Sequence, residues 1–272
     1  MFVDRYEVVA YNTATASANK IHDDAVARDL GFRGGLVPGV DVFAYLAHLP
    51  ARNWGREWLD GGAISARFES PVYDGETVEV IGEPLDDGDA IDLTLFDPRG
   101  VGCAVGVALR EAPDPAPALD AIPPAPLPEP DGLRLASPEV FASFAGGVLG
   151  TLDYGFHAGE AAGEYLADVR ETLPLYWSGG LAHPGWLLRM ANWALTCNVR
   201  LGPWIHVGSQ LQLYGAIEDG ARISVRSRLA GVTERGGHGF VDLDVVYVVD
   251  GERVAAACHH TAIYEPRALR RG

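Results

Sequence analysis

Hydrophobic and polar residues alternate along four consecutive runs in the first half of the chain and along four more in the second half. The runs cover residues 63–73, 76–83, 90–96 and 101–110, and then 208–217, 222–230, 239–249 and 253–264. A period of two predicts antiparallel strands with one buried face and one wetter face. Asp74-Gly75 and Asp219-Gly220 fall at the same strand-to-strand position in both sets, and such dipeptides favour hairpin turns.

A segment with apolar residues at helical spacing precedes each set of strands. These residues are Val42, Phe43, Leu46 and Leu49 after Pro38-Gly39, and Trp186, Leu187, Met190, Trp193, Ala194 and Cys197 after Pro184-Gly185. Spacings of three and four place them on one face of a helix. A helix that covers one face of a strongly curved antiparallel sheet buries the apolar surface of both. The sequence therefore predicts an α+β fold with two such units in tandem, which is a double hot-dog.

A change in composition divides the chain into two similar halves. Proline and alanine alternate in EAPDPAPALDAIPPAPLPEPD, residues 111–131, and this composition favours an extended tether over helix or sheet. The turn GGLVPG before the first helix recurs as GGLAHPG before the second, which indicates an internal repeat. We predict an N-terminal hot-dog domain at residues 1–111, a linker at 112–131 and a C-terminal hot-dog domain at 132–272.

Charge and composition exclude several classes of function. The formal net charge is −16, which opposes nucleic-acid binding because that binding depends on basic surfaces. No run is long and apolar enough to span a bilayer, and MFVDRYEVV lacks the pattern of a signal peptide. Cys103, Cys197 and Cys258 show no metal-ligand spacing and are typical of free thiols in a reducing compartment. We expect a cytoplasmic protein with no cofactor, no metal, and no membrane or nucleic-acid partner.

The stretch at residues 11–45 carries the candidate chemistry. A loop rich in hydroxyl groups leads through Ser17 and Asn19 to His22, and DDAVARDLG then predicts a short helix with Asp23 as N-cap and Gly31 as stop. His22 therefore precedes a helix start, where the helix dipole favours the neutral imidazole that a general base requires. A role limited to hydrogen bonds within the loop is the alternative for His22.

Two motifs in this stretch resemble those of the MaoC-like, or (R)-specific enoyl-CoA hydratase, family. SANKIH at residues 17–22 is similar to the D-x-N-P-x-H pattern of that family, with Ser17 at the aspartate position and Lys20 at the proline position. GFRGGLVPG at residues 31–39 is similar to the G-F-x-G-x-[IV]-[VP]-x-G turn that precedes the central helix in the family. The predicted architecture and repeat match the family across nearly the whole chain.

The resemblance implies the addition of water to a 2-enoyl thioester, or the reverse dehydration. It assigns the acid/base role to His22 and places Asn19 in the loop that shapes the site, while Ser17 replaces the aspartate that shares the base role. A serine can hold a water by hydrogen bonds, but it cannot act as a carboxylate base. The candidate catalytic residues are therefore His22, Ser17 and Asn19.

The glycine-rich turn supplies the candidate substrate-binding residues, which are Gly35, Pro38 and Gly39. Glycines let the backbone approach a ligand closely, and the helix that follows presents unpaired N–H groups to a thioester oxygen. The same turn recurs in the second half, which lacks the loop ending in N-x-x-H, so a purely structural role stays open. His183, directly before Pro184, is a candidate for facing a pocket in that half.

Three functions follow from these observations. The first is a hydratase or dehydratase that acts on an acyl-CoA or acyl-carrier thioester in fatty acid metabolism, with His22 as the acid/base. The second is hydrolysis of an acyl thioester, for which Asp24 or Asp41 would supply a carboxylate. Exposure on a helix surface is nevertheless the favoured interpretation of Asp24, Asp41 and His48. The third is a non-catalytic protein that binds acyl groups or small molecules and has lost the aspartate at position 17. A homodimer of double hot-dogs is left open.

Overall fold

A single ten-stranded antiparallel sheet runs through the computed structural model, which describes residues 3–14, 19–29, 31–159 and 161–268. The strands of the first half are β1 (Asp4–Val9), β2 (Ala63–Phe68), β3 (Thr77–Leu85), β4 (Ala90–Phe96) and β5 (Gly102–Leu109). Those of the second half are β6 (Leu152–Gly155), β7 (Ile205–Leu213), β8 (Arg222–Arg235), β9 (His238–Val249) and β10 (Arg253–Glu265). Their spatial order is β1-β3-β4-β5-β2-β7-β10-β9-β8-β6, so the β2–β7 pair joins the two halves.

Two long helices lie against this sheet. The helices in chain order are α1 (Asp24–Asp29), α2 (Gly39–Gly61), α3 (Pro138–Ala142), α4 (Ala161–Asp168), α5 (Pro174–Trp177) and α6 (Pro184–Thr196). The helix α2 contacts β2, β3, β4, β5 and β7, and α6 contacts α2, β8 and β10. Non-helical backbone at Gly55, with φ of 59°, kinks α2 near its end. Its first three turns are buried on all sides, because the sheet covers one face and α6 crosses the other.

The crossing of α2 and α6 is close because Gly185 lacks a side chain. A Cβ at Gly185 would lie 2.8 Å from the Cβ of Ala44 and 3.1 Å from the carbonyl oxygen of Val40. The two helices therefore meet backbone to backbone at the start of α6. One hydrophobic core extends across both halves, and Phe43, Leu46 and Leu188 within it are fully buried.

The segment between the halves, residues 112–129, contains neither helix nor strand. Ile122 from this segment is buried against Val246, Val248 and Val254, which lie in β9 and β10. This contact explains why the last five residues of β9 are buried on both faces, whereas its earlier residues alternate. The segment thus covers a patch of the sheet on the face away from the helices.

All eight predicted strands are present, with ends that shift by a few residues. The two hairpin dipeptides form the predicted turns, with φ of 75° at Gly75 and 85° at Gly220, a conformation that favours glycine. The edge strands β1 and β6 were not predicted. No helix among the described residues is long and apolar enough to cross a membrane.

Candidate active site

A cavity of about 180 Å³ lies at the start of α2, and both halves contribute to its wall. The N-terminal half supplies Asn19, Ile21, His22, Phe32, Leu36, Val37, Pro38, Gly39, Val42, Phe68, Glu69, Ser70, Pro71 and Val72, and the C-terminal half supplies Asn192, Trp204, Ile205 and His206. We call this space the central cavity. Most of its wall is apolar, with a few polar groups set into it. That composition is typical of pockets for small organic ligands.

His22 presents a basic nitrogen at the central cavity. Its Nδ1 lies 2.7 Å from the carbonyl oxygen of Leu36, which can only accept, so Nδ1 carries the proton and Nε2 keeps its lone pair. Burial lowers the pKa of His22, and the Leu36 carbonyl and the charge of Asp41 only partly oppose this. The imidazole is therefore neutral at pH 7, which is the state that a general base needs.

Asn19 ties the loop of His22 to the C-terminal half. Its Nδ2 donates to the carbonyl oxygen of Trp204 at 3.0 Å, and its Oδ1 accepts from the N–H of Trp204 at 3.2 Å. The same Oδ1 accepts from the N–H of Ile21 and caps the turn Lys20–His22. The Nδ2 also lies 3.4 Å from Nε2 of His22. Asn19 therefore fixes the position of His22 relative to Trp204 on the opposite wall of the central cavity.

Gly35 fixes the backbone of His22 from the other side. A Cβ at Gly35 would lie 2.2 Å from the carbonyl oxygen of His22, so only glycine permits this approach. The carbonyl oxygen of His22 accepts from Nδ2 of Asn12 at 3.0 Å, and the N–H of Gly35 donates to Oδ1 of Asp24 at 2.8 Å. Gly35 is not part of the cavity wall. The structure places it as a support for His22, outside the wall of the central cavity.

Pro38 and Gly39 form the wall at the start of α2. Pro38 is the N-cap residue, and its carbonyl oxygen accepts from the N–H groups of Asp41 and Val42. The first N–H groups of a helix have no partner within the helix, so those of Gly39 and Val40, ahead of the bonded pair, are available to an anionic group. A Cβ at Gly39 would lie 2.9 Å from Nδ1 of His206, which gives this glycine a packing role as well.

The two carboxylates considered as replacements for the missing aspartate do not line the central cavity. Asp41 is fully buried, with Oδ2 accepting from Thr13 at 2.6 Å and Oδ1 from Arg189 at 2.9 Å. Burial raises the pKa of Asp41, and Arg189 and Thr13 counteract it. The interpretation of Asp41 as a solvated residue is therefore wrong, because α6 covers that face of α2. Asp24 is exposed and pairs with Arg28.

Ser17, the third predicted catalytic residue, lies outside the described residues. Among the described residues of the cavity wall, the only carboxylate is that of Glu69, which is exposed and pairs with Arg67 at 2.5 Å. Sequence reasoning missed Glu69, since it lies directly after β2 in a run interpreted as a strand.

Sequence reasoning also missed the polar groups from the second half. Asn192 lies on α6, where an amide within the apolar pattern WLLRMANWAL was an available signal. His206 lies on β7, and nothing in its local sequence distinguishes it from a satisfied core histidine. Both reach the central cavity only because β7 pairs with β2 and α6 crosses α2.

The matching turn of the second half holds a buried charged cluster and not an open cavity. Oε1 of Glu171 lies 3.0 Å from Nδ1 of His48, and Oε2 lies 3.4 Å from Nε2 of His183. Burial acts to raise the pKa of Glu171, but the hydrogen bonds and charges of the two histidines outweigh it and lower the pKa. Tyr165 and Tyr176 pack against His183. The interpretation of His48 as a surface residue is wrong, because its ring is buried between Glu171 and the first half.

Several solved structures are similar to this chain over most of its length. A conserved hypothetical protein from Mycobacterium tuberculosis with a double hotdog fold is similar at 15% identity and a TM-score of 0.60, over 97% of this chain and 96% of that chain. A MaoC-like dehydratase is similar at 15% identity and a TM-score of 0.56, over 96% and 98%. The dehydratase domain of a mycocerosic acid synthase-like polyketide synthase is similar at 14% identity and a TM-score of 0.54, over 97% and 92%.

Neither a protein-family model nor a curated protein matches the sequence. At identities of 14–15% the structural likeness shows a shared fold. This chain has the double hot-dog fold that its sequence predicted.

Proposed function

We propose that this protein is a hot-dog acyl-thioester enzyme that adds water to a 2-enoyl thioester, or removes it in the reverse direction, with His22 as the acid/base. The observation that carries the proposal is the unprotonated Nε2 of a neutral, half-buried histidine in a largely apolar cavity at a helix start. Two of the similar structures are described as dehydratases, which supports the same reaction class.

Each part of the site has a role in this reaction. A water molecule forms a bond from its oxygen to C3 of the substrate, and Nε2 of His22 takes one of its protons. The electron pair of the C2=C3 double bond shifts to form the C1=C2 bond of an enolate, and the carbonyl electron pair moves onto the thioester oxygen, where the first N–H groups of α2, at Gly39 and Val40, stabilise it. The imidazolium then returns the proton to C2 and the thioester carbonyl re-forms. Asn19 keeps the imidazole aligned throughout, through its paired bonds to Trp204.

Turnover of a panel of enoyl-CoA and enoyl-acyl-carrier substrates of increasing chain length tests the proposal. We expect the loss of enoyl absorbance in the wild type and a reduction of about 10²- to 10⁴-fold in His22→Gln, the usual contribution of a general base. His259→Gln is the matched control, because His259 lies on β10 with a partly exposed ring bonded to Asp244. A folded wild type that turns over no member of the panel would refute the assignment.

Hydrolysis of an acyl thioester is the second candidate, and Glu69 at the cavity wall favours it. A carboxylate there could activate a water for attack on the thioester carbon. Release of free thiol without a hydrated product, abolished in Glu69→Gln and retained in Glu57→Gln, identifies this activity. Glu57 is the control because it is an exposed glutamate that pairs with Arg110 on another part of the surface.

A further inference from the structure

Two residues on the wall of the central cavity each hold a buried polar atom that has no hydrogen-bond partner among the described residues. The atoms are Nδ1 of His206 and Oδ1 of Asn192, and both come from the C-terminal half. His206 as a whole is 6% exposed. An unpaired polar atom that is cut off from water destabilises the fold, so a folded protein seldom keeps two of them on residues of one cavity wall without use.

His206 presents a lone pair and not a proton. Its Nε2 lies 3.2 Å from the carbonyl oxygen of Gly208, which only accepts, and 2.8 Å from Oγ of Ser209. The proton therefore resides on Nε2, and Nδ1 is an acceptor. Burial and the neighbouring His260 hold the pKa of His206 well below its usual value, so the ring stays neutral.

The ring of His206 is held in one orientation. It stacks on His260 with 4.2 Å between ring centroids and meets the edge of Phe68 at 4.8 Å. Ser209 links the two histidines, since its Oγ lies 2.9 Å from Nδ1 of His260. The acceptor atom thus lies directly against Gly39, at the helix start where the thioester is placed by the proposed function.

We propose that the central cavity selects acyl groups that carry a hydrogen-bond donor, such as a hydroxyl or an amide N–H, over plain hydrocarbon chains. The inference rests on the proposed function in taking the ligand to be an acyl thioester. A hydrocarbon chain leaves the acceptors of His206 and Asn192 unpaired, whereas a donor on the chain satisfies one or both. Sites built to bond a donor reject the analogue that lacks it.

Binding, and not turnover, provides the test. The ligands are CoA thioethers of equal chain length, either unsubstituted or with one hydroxyl at successive carbons, which can be neither hydrated nor hydrolysed. We expect the wild type to bind one hydroxylated member at least about 10-fold more tightly than the unsubstituted chain, as measured by calorimetry. His206→Phe and Asn192→Leu, which keep the volume and remove the acceptor, lose this preference, with their folding checked by circular dichroism and thermal melting. His259→Phe, a change on the outward side of β10, retains it.

Equal affinity of the wild type for all members overturns the inference, and so does a preference that survives in both acceptor variants. Because the ligands are inert, their binding is measured independently of turnover. A wild type that binds them selectively but hydrates no enoyl thioester refutes the proposed reaction and leaves the inference intact. A wild type that binds no member overturns the inference and the acyl-thioester assignment together.

Discussion

Gly35→Ala offers a direct test of how the turn holds His22. The new Cβ would lie 2.2 Å from the carbonyl oxygen of His22, 2.9 Å from its carbonyl carbon and 3.2 Å from Nδ2 of Asn12. Carbon–oxygen contacts normally begin near about 3.3 Å, so the two segments must separate by roughly 1 Å. The obstructing atoms belong to the backbone, and no change of rotamer can relieve the contact.

Two consequences follow from that displacement. Overpacking of this kind costs about 1–3 kcal/mol of unfolding free energy. A shift of about 1 Å in a reacting group reduces the rate by roughly 10²-fold, because proton transfer depends on close alignment. The shift also disturbs the bond from Asn12 to the carbonyl oxygen of His22 and the bond from Nδ1 of His22 to Leu36. We therefore expect kcat/KM for the preferred enoyl thioester to fall about 100-fold. The free energy of unfolding, measured by urea titration, should fall by about 1–3 kcal/mol.

Gly34→Ala is the matched control for this variant. A Cβ at Gly34 would lie 3.1 Å from Oδ1 of Asp24, whose side chain is 69% exposed and needs to move by only a few tenths of an ångström, which its 2.8 Å bond from the N–H of Gly35 allows. Neither glycine has a positive φ, so the two substitutions differ in the contact that they create and not in backbone strain. The reasoning is refuted if Gly35→Ala keeps the wild-type rate and stability, or if Gly34→Ala loses as much.

Three further outcomes are expected. Because burial lowers the pKa of His22, the decline of kcat/KM in acid should have its midpoint below the ordinary histidine value of about 6.5; a midpoint above pH 6.5 contradicts this. Asp41→Leu should lower the unfolding free energy by about 3 kcal/mol, since it leaves the partly buried Arg189 without its carboxylate partner. The double variant with Arg189→Leu should lose less than the sum of the single losses, and additive losses in urea titration exclude the coupling. The pKa of Glu171 is lowered in the folded state, so its contribution to stability is present above the unfolded pKa of about 4.3 and is lost as the pH falls towards the folded value. The difference in unfolding free energy between wild type and Glu171→Gln should shrink in acid, and a difference that grows in acid counts against this account.

Much of the fold was predictable because it depends on local patterns. The alternation along β7, β8, β9 and β10 and the helical spacing in α2 and α6 arise from burial of one face of each element, and that burial shows directly in the residue order. The strands β1 and β6 escaped prediction because they are edge strands with little burial: β1 buries one of its six residues and β6 buries none of its four. β6 has only four residues, and its pairing with β8 is a long-range contact with no local pattern.

The candidate site was likewise predictable only where it depends on residues close together in the sequence. Asn19 and His22 lie three residues apart, and the turn that positions them follows within the same stretch, so the motif was visible in the sequence. The opposite wall was not visible, since Asn192 and His206 are distant in the chain and reach the central cavity through the pairing of β2 with β7. The catalytic role of Ser17 stays a prediction, because Ser17 lies outside the described residues.

The sequence by itself determined the two repeated units, their central helices, and the placement of a histidine before a glycine-rich turn, because each depends on neighbours within about forty residues. Only the tertiary structure decided which charged groups are exposed to solvent and which are buried against a partner. Asp41 and His48 lie on a helix whose outer face would be solvated in a single unit, yet α6 covers Asp41 and Glu171 approaches His48 across the junction. The same packing brings His206 and Asn192 to face the cavity of His22. Burial at a junction between distant segments depends on how the halves meet, and no local pattern in the chain records it.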